Sequence, residues 1–392
     1  MSFSEWREVK LEDIIEIEMG QSPKSEFYNQ TGEGLPFLQG NRTFGDKYPY
    51  FDTYCTENKK IANKNDVIMS VRAPVGDLNI AQTQISLGRG VCAMRLKGEQ
   101  NSNYLFYLMK HNIKEMINRE SGTVFGSVNK KDILGLDVKI TNNKLEQKAI
   151  AHILSTLDDK IEVNNQINKT LENMAQAIFK QWFVDFEFPN EDGEPYKSSG
   201  GEMVESELGM IPKGWEVGVL GDIISISSGK RPKKKSKEPY EEFVIPLIGA
   251  SSTMGYVKEY NYFEPIIIIG RVGTHGVVQR FKDKVWASDN TLVIKSEYYE
   301  YVHQLLGLID YASLNRGSTQ PLITQTDIKN VRILIPYKSI LNQYEELVGK
   351  LYELVNSRLD ENSNLINLRD TLLPKLMSGE IRVPLKEEGE VS

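Results

Sequence analysis

Cysteine is nearly absent: Cys55 and Cys92 are the only two in 392 residues. Two cysteines do not frame a disulfide scaffold, and a reducing compartment fits them better. Histidine is as scarce. His111, His152, His275 and His303 are scattered and, with two distant cysteines, give no metal-ligand spacing. Long apolar runs are missing too. The four isoleucines from Ile266 to Ile269 are among the longest, far short of the roughly 20 residues that span a bilayer. The polar opening MSFSEWREVK holds no apolar leader segment. A cytoplasmic protein with no membrane partner is therefore expected.

Catalytic motifs are lacking as well. No GxxxxGK[ST] phosphate loop occurs, and GRVGTHG from Gly270 does not fit GxGxxG. The Asn/Asp-Pro-Pro-aromatic motif of amino-methyltransferases is absent, and no carboxylate pair stands out. These absences point away from catalysis, and no metal or cofactor is expected in this chain. Positive charge is also in deficit, with a formal net charge of −7. A uniformly basic nucleic-acid binder is excluded, because phosphate neutralisation needs Lys and Arg. The deficit is not uniform, however: KRPKKKSK from Lys230 packs six cations into eight residues.

The chain does contain an internal repeat. WREVKLEDIIEIEMGQSP from Trp6 and WEVGVLGDIISISSGKRP from Trp215 coincide at eight of eighteen positions at an offset of 209. The pairs include Trp6 and Trp215, Leu11 and Leu220, Gly20 and Gly229, and Pro23 and Pro232. The period is too long for a solenoid and implies two related domains. LPFLQGNRTFG from Leu35 then matches IPLIGASSTMG from Ile245. A strand-rich stretch follows in each half, DVIMSVRAPVGDLNIA and PIIIIGRVGTHGVVQR, in which Arg72 is matched with Arg271. A helical segment, a loop and a closing apolar alternation complete both halves. The framework repeats and the loops differ, which suggests two related readers with different targets.

From Lys144 the periodicity changes. Steps of four and three pick out Ile150, Leu154, Leu157, Ile161, Asn164, Asn168, Leu171, Ala175, Ile178 and Trp182. A second seam runs through Ile340, Tyr344, Leu347, Leu351, Leu354, Arg358, Glu361, Leu365, Leu368 and Leu372. Each reads as a coiled-coil helix, and about forty residues would reach roughly 60 Å. Both seams are apolar at the ends and polar in the middle. Antiparallel packing would bring Asn164 and Asn168 against Arg358 and Glu361 and fix the register. The segment between the halves, rich in acidic residues, Gly, Ser and Pro, is expected to be an exposed linker with local order at most.

The expected class is α+β, with two similar mixed α/β domains joined by two long antiparallel coiled-coil helices in a pseudo-two-fold dumb-bell. The boundaries are 1–143 for the first domain, 144–184 for its helix, 185–212 for the linker, 213–337 for the second domain, 338–378 for its helix and 379–392 for a tail.

LDDKIEVNNQINKTLENMAQAIFKQWFVDF resembles the central region of the specificity subunits of type I restriction–modification enzymes. The W-x(4)-L-x-D-I-I openings with their G-x-x-P turn, SVRAPVGDLNIA and the ending LRDTLLPKLMSGEI resemble the same family. That resemblance implies two target recognition domains, each reading half of a bipartite, asymmetric double-stranded DNA site. The helices would set the gap and hold two methyltransferase subunits that methylate adenine N6. S-adenosylmethionine would sit on those subunits, and ATP and Mg on restriction subunits that join the full complex. The chain itself would be a non-catalytic specificity subunit. Lys230, Arg231, Lys233, Lys234 and Lys235 then become candidates for backbone phosphates. Base contacts are expected from Gln39, Asn41, Arg42, Arg72 and Arg89 in the first domain. In the second they are expected from Ser251, Ser252, Thr253, Arg271 and His275. The rival reading is a protein-interaction scaffold that binds no DNA.

Overall fold

A computed structural model describes residues 6–98, 101–118, 127–272, 276–314 and 322–383. The chain divides into two compact units. The first comprises Met1–Gln166 with Arg358–Ser392, and the second Ile167–Ser357.

Short elements aside, the first unit opens with β1 (Trp6–Lys10), β2 (Ile15–Met19), β3 (Leu35–Leu38) and β4 (Tyr54–Cys55). It continues with β5 (Val67–Ser70), β6 (Leu78–Ile80), β7 (Ile85–Leu87) and β8 (Val91–Leu96). Helices α1 (Ser102–Asn118) and α2 (Lys130–Leu134) precede β9 (Asp137–Thr141) and the long helix α3 (Lys144–Phe179). Strand order in the main sheet is β2-β8-β5-β6, all antiparallel. The sequence explains that order. Ile15 and Ile17 alternate with glutamates on the edge strand β2, where one face is wet. The central strand β5 is VIMS, buried at every position.

The second unit holds a hairpin, β10 (Met203–Ser206) and β11 (Gly209–Pro212), before its main fold. Then come β12 (Glu216–Val219), β13 (Ser225–Ser228), β14 (Ile245–Ile248), β15 (Thr253–Val257), β16 (Ile266–Gly270), β17 (Val278–Phe281), β18 (Trp286–Ala287) and β19 (Thr291–Lys295). Helices α4 (Tyr299–Leu308) and α5 (Gln325–Lys329), strand β20 (Arg332–Ile335) and helix α6 (Lys338–Ser378) complete it. Its main sheet, β13-β19-β16-β17, repeats the order of the first.

The repeat extends to hydrogen-bond register. Val91 faces Ser70 as Thr291 faces Gly270, and Val67 faces Ile80 as Ile267 faces Arg280. The parallel pair Phe37–Ser86 recurs as Leu247–Trp286. First and last strands close each domain, Arg7 opposite Ile140 and Glu216 opposite Ile335. The short helix before the last strand carries a capping box in both, Asn129 with Asp132 and Thr324 with Asp327. The largest shortening of the second domain is in one loop. Fifteen residues, 39–53, separate β3 from β4, where four, 249–252, turn β14 into β15.

Register also corrects one correspondence. Val71 N–H bonds to Gly90 O and Arg271 N–H to Asn290 O, while Arg72 bridges Ser127 and Val272 bridges Leu322. Arg271 therefore stands where Val71 does, and Arg72 matches Val272. Aligning the two arginines slips the segment by one residue, and in extended chain one residue changes the face. Val71 is accordingly buried, Arg271 half-buried and Arg72 exposed.

Each unit contains one end of each long helix. In the first, Ile150 and Leu154 of α3 share a core with Leu373, Leu376 and Met377 of α6. In the second, Phe179 and Trp182 pack with Tyr344, the ring centroids of Trp182 and Tyr344 lying 5.9 Å apart. The start of one helix meets the end of the other in both units, so the pairing is antiparallel. All ten positions of the first seam, nine on α3 and Trp182 in the π-helical turn that continues it, are buried or half-buried. On α6 the seam needs correction. Leu347, Leu354 and Leu368 are exposed, and the buried positions are their neighbours Val348, Val355 and the half-buried Arg369. Both rows fit a leucine-rich heptad pattern, and burial selects the one that carries Tyr344, Val348, Val355 and Asn362.

Residues 185–212 hold more order than their composition suggests. Phe188 stacks between Tyr196 and Trp215, at 4.6 and 5.1 Å, ahead of the hairpin. Phe188 and Ile211 are buried, and Phe186, Tyr196 and Val204 pack against the same core, which anchors the segment.

Candidate nucleic-acid interface

In each domain several turns converge at one end of the main sheet. In the first they are the turn after β2, the loop after β3, the chain after β5 and the β7–β8 turn. Backbone hydrogen bonds lace them together: Gly20 N to Val91 O, Gln21 N to Leu87 O, Gly88 N to Leu38 O and Gly90 N to Gln39 O, all 2.8 to 3.0 Å. The second domain repeats three of these with Gly229 N to Thr291 O, Lys230 N to Ala287 O and Ser288 N to Ile248 O. The approach explains the repeated glycine. A Cβ on Gly20 would lie 2.1 Å from Gly88 O, and one on Gly229 2.0 Å from Ser288 O.

Among the sequence candidates of the first domain, Gln39 and Arg89 come together here. Ser22 Oγ donates to Gln39 Oε1 at 3.0 Å and accepts from Arg89 N–H at 3.1 Å. Arg72 lies on the adjacent chain, and its side chain is exposed. Asn41 donates to Asp77 at 2.5 Å. Arg42 is engaged elsewhere in its loop. Its guanidinium bonds both oxygens of Asp52, at 2.7 and 2.8 Å, and holds that carboxyl below the usual range. Of the five candidates, Gln39, Arg72 and Arg89 have side chains with no hydrogen bond donated among the described residues.

In the second domain the basic run lines a cleft of about 390 Å³, formed by Arg231 to Lys235 with Leu247, Met254 and Ser288 to Asn290. Lys230 is held by its carbonyl, which accepts from Trp286 Nε1 at 2.6 Å. Arg231 Nε lies 3.1 Å from Asp289. Lys233, Lys234 and Lys235 are exposed and have no carboxylate partner among the described residues. Ser251, Ser252 and Thr253 are exposed at the tip of the β14–β15 turn, which Gly249 N closes onto Ser252 O at 2.8 Å. Arg271 Nε is buried without a hydrogen-bond partner among the described residues. His275 lies outside the described residues.

The four helix-register candidates separate. Asn164, fully buried, donates to Glu361 at 3.0 Å and to Asn362 at 2.8 Å, and Arg358 pairs with Glu361 on its own helix. Neither amide atom of Asn168 has a partner among the described residues. Sequence reasoning missed Asn362, which also donates to Asn165 at 2.9 Å. It missed Asp158 too, which accepts from Arg369 at 2.7 Å and from Tyr107 at 2.5 Å. Ser22 and Asp289 were also missed. Strand register aligns GRG at Gly88 with SDN at Ser288 and so places Asp289 where Arg89 stands.

Among the described residues no three His, Cys, Asp or Glu side chains gather as metal ligands. No helix among them is long and apolar enough to cross a membrane.

Comparison with known proteins supplies an independent reading. A family model described as "Type I restriction modification DNA specificity domain" matches residues 3–173 and again 212–348. The type I restriction enzyme MjaIX specificity subunit of Methanocaldococcus jannaschii is 28% identical, covering 97% of this chain and 94% of its own length. The HindI specificity subunit of Haemophilus influenzae is 26% identical, covering 96% and 100%. The crystal structure of a type I restriction–modification S subunit from M. genitalium has a similar fold, with a TM-score of 0.62 at 18% identity over 95% of this chain and 96% of that one.

Proposed function

The chain belongs to the type I restriction–modification DNA specificity family, and we propose that each of its two domains reads one half of a split, asymmetric DNA site. Sequence specificity toward DNA is its role. The observation that carries the two-reader assignment is the repeat itself: one backbone register, written twice, with different side chains on the converging turns. A framework kept in register while its turns diverge is what two readers of different half-sites require.

Family membership supports the remaining parts of the proposal. The two long helices set the gap between half-sites and seat two methyltransferase subunits, which bind S-adenosylmethionine and methylate adenine N6. Restriction subunits, with ATP and Mg, complete the nuclease. This chain contributes no catalytic group to either reaction. Its net negative charge is compatible with binding, since partner subunits add phosphate contacts to those of Lys233, Lys234 and Lys235.

The test is a genome-wide map of N6-methyladenine in the host with the gene intact and deleted. Loss of one split motif on deletion is the expected result, and it reads out both half-sites. Exchanging residues 1–143 for another such domain should change one half-site only. An unchanged motif after that exchange would sink the assignment and favour a scaffold that binds protein rather than DNA. Inserting a heptad at matched points of both helices should alter the gap or abolish methylation.

A further inference from the structure

Three turns meet at matched positions in both domains, and the polar link between them differs. Ser22 is matched with Arg231, Gln39 with Gly249, and Arg89 with Asp289, as the shared backbone hydrogen bonds require. In the first domain the Ser22 hydroxyl ties Gln39 to the β7–β8 turn. That contact uses one lone pair of the Gln39 amide. Neither its N–H donors nor the Arg89 guanidinium has a hydrogen-bond or carboxylate partner among the described residues, and both side chains are exposed. In the second domain the link is the ion pair of Arg231 and Asp289. Position 249 has no side chain, and its carbonyl accepts from Gln279 Nε2 at 3.0 Å. With Arg231 83% and Asp289 39% exposed, that pair is weak and leaves the carboxylate open to another donor.

We propose that this three-turn junction is the base-discriminating element of both domains, reading through Arg89 and Gln39 in the first and through the Asp289 carboxylate in the second. The inference rests on the DNA-specificity reading above. Its chemistry follows from groove edges. Arg bonds guanine O6 and N7, Gln bonds adenine N6 and N7, and a carboxylate accepts from the cytosine N4 amine. The first junction is therefore suited to a purine edge and the second to cytosine. Ser22 is a positioning residue, because it orients the Gln39 amide without presenting a group of its own. Lys233, Lys234 and Lys235, which line one cleft with Asp289, are suited to phosphates, which carry no sequence information.

The experiment co-expresses the full chain with its methyltransferase subunits and reads the methylation motif by sequencing. For R89A and Q39A the expected result is relaxation at one position of one half-site. Discrimination there should fall about ten- to a hundredfold, the worth of one bidentate base contact, with the other half-site and the gap unchanged. D289N should relax the opposite half-site. R89K keeps the charge and loses the planar fork, so it should relax the same position even if R89A fails to assemble. K234A should lower methylation at all sites without changing a letter. A motif identical in every variant, with methylation falling evenly, would assign these side chains to phosphate contact and overturn the proposal. A wild-type complex that yields no split motif would instead overturn the specificity reading on which it rests.

Discussion

Replacing Asp158 by alanine tests whether the helix pair in the first unit is held by a buried polar link. Asp158 is 7% exposed on α3. It accepts from Arg369 Nη1 of α6 at 2.7 Å and from the buried Tyr107 hydroxyl of α1 at 2.5 Å. Removing the carboxylate strands both donors. Breaking a buried ion pair from one side costs about 3–5 kcal/mol. Arg369 keeps Asp370, at 2.8 Å, which places the loss near the lower end. The unsatisfied tyrosine hydroxyl adds about 1 kcal/mol. The expected cost of Asp158→Ala is therefore about 4 kcal/mol. The double replacement Asp158→Leu with Arg369→Met removes both charges and should fall within about 1 kcal/mol of the parent. Urea unfolding followed by circular dichroism gives the totals, and hydrogen exchange at 150–165 and 362–373 localises the loss to this unit. A single-mutant cost below about 1 kcal/mol, or a double mutant as damaged as the single, would refute a buried link as the source of stability.

Three further outcomes are expected. Gly20→Ala should cost about 1–3 kcal/mol in urea melts, since its Cβ would meet two backbone carbonyls that cannot swing away. Gly349→Ala, with no atom within 4 Å of its Cβ in the middle of α6, should instead stabilise by about 0.5–1 kcal/mol. Glu345 caps α4 by accepting from Glu300 N and Tyr301 N at 3.0 and 2.9 Å, yet burial pushes its carboxyl up to about 7, with Glu300 adding to the rise and Arg280 opposing it. Because the folded value exceeds the ordinary 4.5, its contribution is full below pH 4.5 and is lost as pH rises through 7. Glu345→Gln should flatten the part of the stability–pH curve that falls in that window, and a curve unchanged by the substitution would contradict the assignment.

The architecture was legible because its strongest signals are periodic. Trp6 and Trp215 mark the starts of matching strands, and Ile150 to Ile178 trace one face of α3, since heptad spacing and strand alternation are properties of neighbouring residues. On the second helix the sequence pattern is one position out at three of its ten seam positions. Leu347, Leu354 and Leu368 compete with Val348, Val355 and Arg369 for the seam, and only the partner helix decides between the rows. The same limit applied to Arg72 and Arg271. Letter identity aligned them, whereas strand register separates them by a residue and hence by a face. Arg42 reads as a base contact from its type and loop, but Asp52, ten residues on, occupies it. Phe188 and Ile211 show the converse, a few apolar residues giving order to a segment that composition assigns to linker.

The converging turns are held by main chain rather than by side chains, and this bears on how the two domains differ. The bonds from Gly20, Gln21 and Gly88 in one domain and from Gly229, Lys230 and Ser288 in the other run from amide to carbonyl. A main-chain bond is indifferent to most substitutions at its residue, glycine positions under steric pressure excepted. Serine, glutamine and arginine can therefore become arginine, glycine and aspartate at the same three sites without loss of the framework. What changes is the set of donors and acceptors presented. The side chains at these positions are free to vary, as the proposed base reading requires, while the glycine that lets the turns approach is kept in both halves. Divergence in the groups presented and constancy in fold are thus assigned to different atoms of the same residues.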